Sequence, residues 1–354
     1  MFVPINQNEF MLALETLNKI RGLLDIRECL IEQGDIQEEL SLPSPMWKLI
    51  KLYSYVLNPS YDIVNTWRLH TFMFTGHYLG GAAPHIFNPL PDSLKEEYHQ
   101  LTAGLPSEMI ARPPRMLGEI GWEINGGVVN KDVLMCQNHI GNLYFSRVLD
   151  YVRSKDSNRV LEIGSGYGGL AYFLWKILKP SGYYLVDLPE SLAFSSVYLT
   201  LTGGLDGASG VVYDGSKSDL LNAPKNGFVF LPNFLINDLS NTDKFDLVIN
   251  TGSFGEMTKD QVVQYVDVIE DILAEDGIIY EDNGDSDMVP IINIFGKRFK
   301  CIEFHKNNKN NRIWAKNEET LSKVKIVANY RPSVLKTPRT WLQWRVKRTL
   351  QKLR

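Results

Sequence analysis

Gly164, Gly166, Gly168 and Gly169 stand close together in RVLEIGSGYGGLAYFLWKIL (159–178), behind an apolar run and ahead of an apolar helical stretch. Positions without a Cβ allow a tight turn whose backbone lies against a ligand, and the helix that opens there aims its first N–H groups at the same place. The spacing satisfies two patterns. Gly164, Gly166 and Gly169 fit the GxGxxG of dinucleotide sites, and Gly164, Gly166 and Gly168 fit the GxGxG of S-adenosylmethionine sites. Glu162, two positions earlier, separates the readings: a carboxylate there repels a pyrophosphate and complements the ammonium or sulfonium of a methionine derivative. S-adenosylmethionine is therefore the expected cofactor, with an NAD-dependent oxidoreductase as the rival. Asp187, ending the run YYLVD, can accept from both ribose hydroxyls of either ligand or start the helix behind Pro189.

These residues need a frame. From residue 159 onward the pattern alternates, predicting strands over 160–163, 183–187, 228–231, 245–250 and 277–281 and helices over 169–178, 190–201 and 259–274. That order predicts an α/β fold, a Rossmann-like doubly wound parallel sheet, and ligands of such sheets sit outside the carboxyl ends of the strands. Glu162, the glycines, Asp187, Leu188, Asn233 and Asn250 through Glu256 then share one crevice. The stretch 210–227 reads as an insertion or a misplaced strand, and 297–317 as a C-terminal antiparallel hairpin. Before residue 155 the apolar spacing is helical, interrupted by the glycine and proline clusters at 80–91 and 104–127. The expected organisation is a helical N-terminal domain (1–155) shaping an acceptor site or a dimer contact, a cofactor domain (156–325) and a basic tail (326–354).

Three segments in order, VLEIGSGYGGLAYFL, YYLVDLPESL and FDLVINTGSFGEM continued by VVQYVDVIEDIL and GIIYEDN, resemble the sugar O-methyltransferase family, a branch of the class I S-adenosylmethionine-dependent methyltransferases. The likeness spans roughly residues 115–305. It implies cytoplasmic methylation of a sugar hydroxyl, often one destined for a surface polysaccharide. It also implies that Glu162, Gly164, Gly166 and Gly168 line the methionine part, Asp187 and Leu188 the ribose and Asn233 the adenine, where an aspartate is commoner.

Methyl transfer from a sulfonium is an in-line displacement, so alignment and exclusion of water are the main demands. A sugar hydroxyl also wants a base or a metal. Glu256, where NTGSFGEM leaves a strand for a helix, and His139 in MCQNHIGNLYF are the two candidate bases; a helix-dipole acid and a packed core histidine are their bland alternatives. The acidic run EDNGDSD, with Glu281, Asp282, Asp285 and Asp287, departs from an EF-hand loop and reads as solvated, so no metal is expected. Glu119, Trp122 and Asn125 lie where a lid over the acceptor would fall, with a core position equally apt for the tryptophan.

With 44% hydrophobic and 22% charged residues the composition is that of a globular protein. Three dispersed cysteines without CxxC spacing suggest neither a disulfide framework nor zinc, and with no signal-like leader they point to the cytoplasm. Residues 331–354 hold eight Lys or Arg and no acid, so the remaining chain is acidic, which argues against a nucleic-acid partner. As a helix, 339–354 gathers Leu342, Val346, Leu350 and Leu353 on one side and Arg345, Arg348 and Lys352 off it, flanked by Trp341 and Trp344. Such a helix suits the inner face of an anionic membrane, or docking on the body or on a second subunit of a homodimer. Expected partners are a sugar, nucleotide-sugar or glycan acceptor. A non-catalytic membrane-associated assembly protein is the rival outside enzymes.

Overall fold

The computed structural model describes residues 3–71, 74, 90–156, 158–216, 220, 224–305 and 308–324. The helices are α1 (Gln7–Gln33), α2 (Glu38–Ser41), α3 (Tyr61–Asn65), α4 (Asp92–Thr102), α5 (Lys131–Phe145), α6 (Val148–Arg153), α7 (Gly169–Leu178), α8 (Pro189–Gly204), α9 (Lys259–Ile272), α10 (Ile291–Phe295) and α11 (Glu318–Lys323). The strands are β1 (Trp122–Ile124), β2 (Gly127–Val129), β3 (Arg159–Ile163), β4 (Gly182–Asp187), β5 (Gly210–Val212), β6 (Phe228–Pro232), β7 (Phe245–Thr251), β8 (Leu273–Asp282), β9 (Lys300–His305) and β10 (Asn308–Ala315).

Local chemistry accounts for the ends of these elements. Asn6 and Glu9 form a reciprocal capping box on α1, and Gly34 closes that helix in the left-handed conformation. Asn130 caps α5 by accepting from the Val133 N–H, and Thr258 with Gln261 boxes α9. The apolar run over 132–152 is two helices, because Arg147 takes φ +65° and turns the chain between them. Residues 48–57, whose spacing reads as an α-helix, form a 3-10 helix instead. Asn125 and Gly126, both at positive φ, join β1 to β2 in a hairpin that the glycine-rich sequence had suggested only as a loop.

The large sheet runs β5-β6-β4-β3-β7-β8-β10-β9, parallel from β5 to β8 and antiparallel from β8 to β9. This is the doubly wound α/β fold with its closing hairpin. At the start of the stretch 210–227, Gly210–Val212 form the edge strand β5, which pairs with β6. The order in which the chain adds strands reverses between β3 and β7, the switch point at which ligands of such sheets bind. Because both faces are covered, alternate residues of each strand go to different cores. Val160, Tyr183, Leu185 and Ile249 join α1, α5, α7 and α8 on one face, while Leu161, Ile163, Tyr184 and Val248 join α9 and α10 on the other. The first core also takes in Leu17, Trp67 and Leu143 from the N-terminal half. The tail expected to form a basic helix lies outside the described residues.

The same alternation turns Glu281 away from the solvent anticipated for it. It is fully buried opposite Arg312 of β10, which donates to it through Nε and is itself fully buried. Trp314 Nε1 and Asn283 Nδ2 also donate to this carboxylate, at 3.3 and 2.9 Å. Breaking such a pair from one side strands a charge in the core and costs about 3–5 kcal/mol. Arg312→Met is therefore expected to shift the urea midpoint sharply downward, and Glu281→Gln added to it to recover much of the loss.

Candidate active site

The glycine loop leaves β3 with Gly164, Gly166 and Gly168 at φ +75°, +55° and +87°, a path closed to most side chains. A Cβ on Gly164 would lie 2.1 Å from Ser253 Oγ, so the loop and the end of β7 meet without room for one. Asp187 holds the loop from the next strand: its Oδ2 accepts from the Gly166 N–H at 3.0 Å and its Oδ1 from the Leu188 N–H at 2.8 Å. Burial pushes this carboxyl up to about 7 against those two bonds. In the loop, Ser165 Oγ is buried with no partner among the described residues.

Glu162 corrects the simplest electrostatic expectation. It shares a sheet face with Val160 and Tyr183, is 2% exposed and accepts from Tyr183 Oη at 2.6 Å. Burial, with the Asp187 charge adding to it, pushes its carboxyl up to about 8. Burial therefore disfavours the ionised form of the side chain at the strand's tip, and a cation facing it would favour that form.

Asn250 is bonded within the protein. It is fully buried, donates to Ile163 O (2.9 Å) and Ser253 Oγ (2.5 Å), and accepts from Phe254 N (3.2 Å) and Asn283 Nδ2 (2.9 Å). With donors and acceptor engaged, it clamps β3 to β7.

Residues 38–47 form a strap across the carboxyl ends of β6 and β7, which no local sequence signal announced. Asn233 Nδ2 donates to Leu40 O and Ser41 O (3.3 and 3.2 Å), and Gln261 Nε2 to Glu39 O and Leu42 O (3.3 and 3.2 Å). Glu256, the first candidate base, belongs to this strap: its Oε2 accepts from Trp47 Nε1 at 2.8 Å and its carbonyl from Ser44 Oγ at 2.7 Å. Trp47 stacks on Phe74, whose ring faces Gly166. Asn233, matched to the adenine position, is 7% exposed, and its Oδ1 has no partner among the described residues. An orphaned acceptor there fits an exocyclic amine.

His139 arrives from α5 against the other end of the crevice. It is 8% exposed; its Nδ1 lies 2.9 Å from Tyr280 Oη and 3.8 Å from Asp282 Oδ2. Asn142 Nδ2 donates to the same phenol at 3.1 Å, and the phenol donates to Asn311 Oδ1 at 3.1 Å. Burial pushes the imidazole down to about 4, so it is neutral at physiological pH. Asn138 Oδ1, next in the helix, is buried without a partner among the described residues. Tyr280 and Asn311 were not anticipated, although strand alternation puts them on the face of Ile278 and Ile313.

The proposed lid residues serve structure. Glu119 and Asp132 accept from the buried Arg68 at 2.7 and 2.9 Å, Trp122 packs with Leu94 and Tyr98, and Asn125 makes the hairpin turn. Among the described residues no helix is long and apolar enough to cross a membrane.

No protein-family model matches the chain, and no curated protein does. Among solved structures it is similar to the SAH-bound methyltransferase PaMTH1 of Podospora anserina (14% identity, 67% of this chain and 94% of that one, TM-score 0.33). It is also similar to an O-methyltransferase family protein from Burkholderia thailandensis (11% identity, 53% and 60%, TM-score 0.35). A TehB-like SAM-dependent methyltransferase from Corynebacterium glutamicum gives 13% identity, 49% and 87%, and a TM-score of 0.32. Likenesses at these scores assign no activity to this chain.

The raised Glu162 carboxyl sets a direction for stability. Its folded value lies above its unfolded one, so the folded protein holds the extra proton between about pH 4.5 and 8 and loses that stabilisation as pH rises through this window. Urea titrations from pH 5 to 8 should show declining stability in the ligand-free protein. Glu162→Gln, which mimics the protonated form, should flatten the decline by more than about 1 kcal/mol at pH 8.

Proposed function

We propose that the protein is an S-adenosylmethionine-dependent O-methyltransferase whose acceptor is a sugar hydroxyl, presented as a nucleotide sugar or glycan. The observation that carries this reading is the juxtaposition at the switch point. A glycine loop latched by Asp187 lies on one side of β3 and β7, and a buried neutral His139 stands by the end of β8.

Polar groups of the chain around the glycine loop suit the cofactor. Asn233 Oδ1 suits the adenine amine, Asp187 the ribose hydroxyls and Ser165 Oγ the amino-acid part. Glu162 suits the ammonium, which would draw its proton off. When bound, S-adenosylmethionine supplies an electrophilic methyl group: the new C–O bond forms as the C–S bond breaks and its electron pair returns to sulfur.

His139 takes the hydroxyl proton in this reading, in preference to Glu256, whose carboxylate is engaged by Trp47. Asp282, 3.8 Å from Nδ1, offsets the positive charge that the imidazole acquires. The strap and the packed N-terminal helices exclude water, a condition for displacement at a sulfonium. We further propose a cytoplasmic enzyme whose basic segment after residue 326 rests on an anionic membrane face.

Calorimetry should show S-adenosylmethionine binding and none with NAD; the reverse would overturn the proposal. Affinity should rise from pH 6 to 8 as Glu162 and Asp187 ionise, and Glu162→Gln should reduce the rise. Asp187→Ala should weaken binding about 10-fold or more, the loss of charge-assisted bonds. With labelled methyl donor and a panel of sugar nucleotides and glycan extracts, wild type should transfer label. His139→Gln should lower kcat about 100-fold at unchanged cofactor affinity. Cofactor binding without transfer to any of these acceptors would favour a non-catalytic role.

A further inference from the structure

We infer that Tyr280 and Asn311 lock His139 in its Nδ1–H tautomer, so that Nε2 presents the lone pair that receives the acceptor's proton; Tyr280 is a positioning residue. The inference deepens the methyltransferase reading and rests on it for the proton's origin, while the tautomer itself is a property of the protein alone.

Hydrogen-bond accounting carries it. A phenol has one proton, and Asn311 Oδ1, an acceptor 3.1 Å from Tyr280 Oη, is placed to take it. The lone pairs of Tyr280 Oη accept from Asn142 Nδ2 at 3.1 Å. With the phenol proton placed on Asn311, the 2.9 Å contact between His139 Nδ1 and Tyr280 Oη is made by an Nδ1–H donor. A neutral imidazole with hydrogen on Nδ1 has its lone pair on Nε2. Among the described residues no hydrogen-bond partner engages Nε2.

Strand register makes the arrangement. Asn311 and Ile313 of β10 stand on the face of Tyr280 in β8, where α5 lays His139 and Asn142 one turn apart on a shared side. Asp282 is two residues beyond Tyr280 on that face, 3.8 Å from Nδ1. When the acceptor's O–H breaks, its proton goes to Nε2, the imidazole becomes doubly protonated, and Tyr280 keeps its own proton. The tyrosine orients and fixes the ring without exchanging anything with the substrate.

Nitrogen-15 spectra of the labelled full chain at pH 7.5, with His139→Gln identifying the resonance, test this directly. Wild type should show a protonated Nδ1 and an imine-like Nε2. Asn311→Leu removes the acceptor for the Tyr280 proton, which should then turn toward Nδ1. The spectrum should reverse to the Nε2–H form, and kcat should fall about 10-fold or more with the KM for S-adenosylmethionine held. Asn311→Asp restores an acceptor and should keep the wild-type tautomer. An Nε2–H signal in wild type, or an Asn311→Leu spectrum identical to wild type, would overturn the inference even if methyl transfer is observed. Absence of methyl transfer with the expected tautomer would instead count against the function proposed above.

Discussion

Everything around the crevice depends on the buried guanidinium of Arg68. It donates to Glu119, Asp132 and Thr71, and its plane lies 3.8 Å from the centre of the Tyr167 ring. Tyr167 sits in the middle of the glycine loop, between Gly166 and Gly168. A fully buried cation is tolerable only when its charge and its N–H groups are met, and here two carboxylates, a hydroxyl and an aromatic face meet them. Burial still pushes the Glu119 carboxyl up, with the Arg68 charge opposing it and Asn130 adding a bond. The consequence is mechanical: the loop is backed by a rigid polar knot from residues 68, 119 and 132, so its strained backbone keeps one shape.

That knot explains why the N-terminal half and the sheet share a core. Arg27 of α1 adds a bidentate pair with Glu190 at the start of α8, with distances of 2.7 and 3.1 Å. Trp67 donates from Nε1 to Phe194 O in the same helix. Charge and hydrogen bonding fix the angle at which α1 and α3 approach, and apolar burial supplies the bulk of the attraction.

The sheet was legible because its information is local. Val160, Leu161 and Ile163 announce a doubly buried strand within five residues, and the glycines after them admit few other turns. Asn125 and Gly126 carried a hairpin signal of equal quality that the surrounding glycines obscured. The side chains of the site were less legible, because residue type does not fix environment. Glu162 reads as an exposed anion in the sequence and becomes a buried, tyrosine-bonded acid in the fold. Glu281 reads as part of a wet loop and becomes half of a core ion pair. Asn250 reads as a ligand contact and becomes a clamp. Tyr280 and Asn311 carry no chemical motif; they matter only because β8 and β10 are in register beside α5. The strap is the extreme case, since nothing in SLPSPMW specifies a partner 200 residues away.

The strap's anchors imply an order of assembly. Ser41 and Leu42 are bonded to side chains 192 and 219 residues further along the chain. During synthesis the N-terminal segment therefore leaves the ribosome long before Asn233 and Gln261 exist, with its buried carbonyls still hydrated and the apolar side of α1 uncovered. Contacts of such sequence separation form late and slow folding, and they lengthen the interval in which a nascent chain is open to chaperones and to aggregation. A crevice roofed by its earliest residues and floored by its latest becomes a ligand site only at the end of folding.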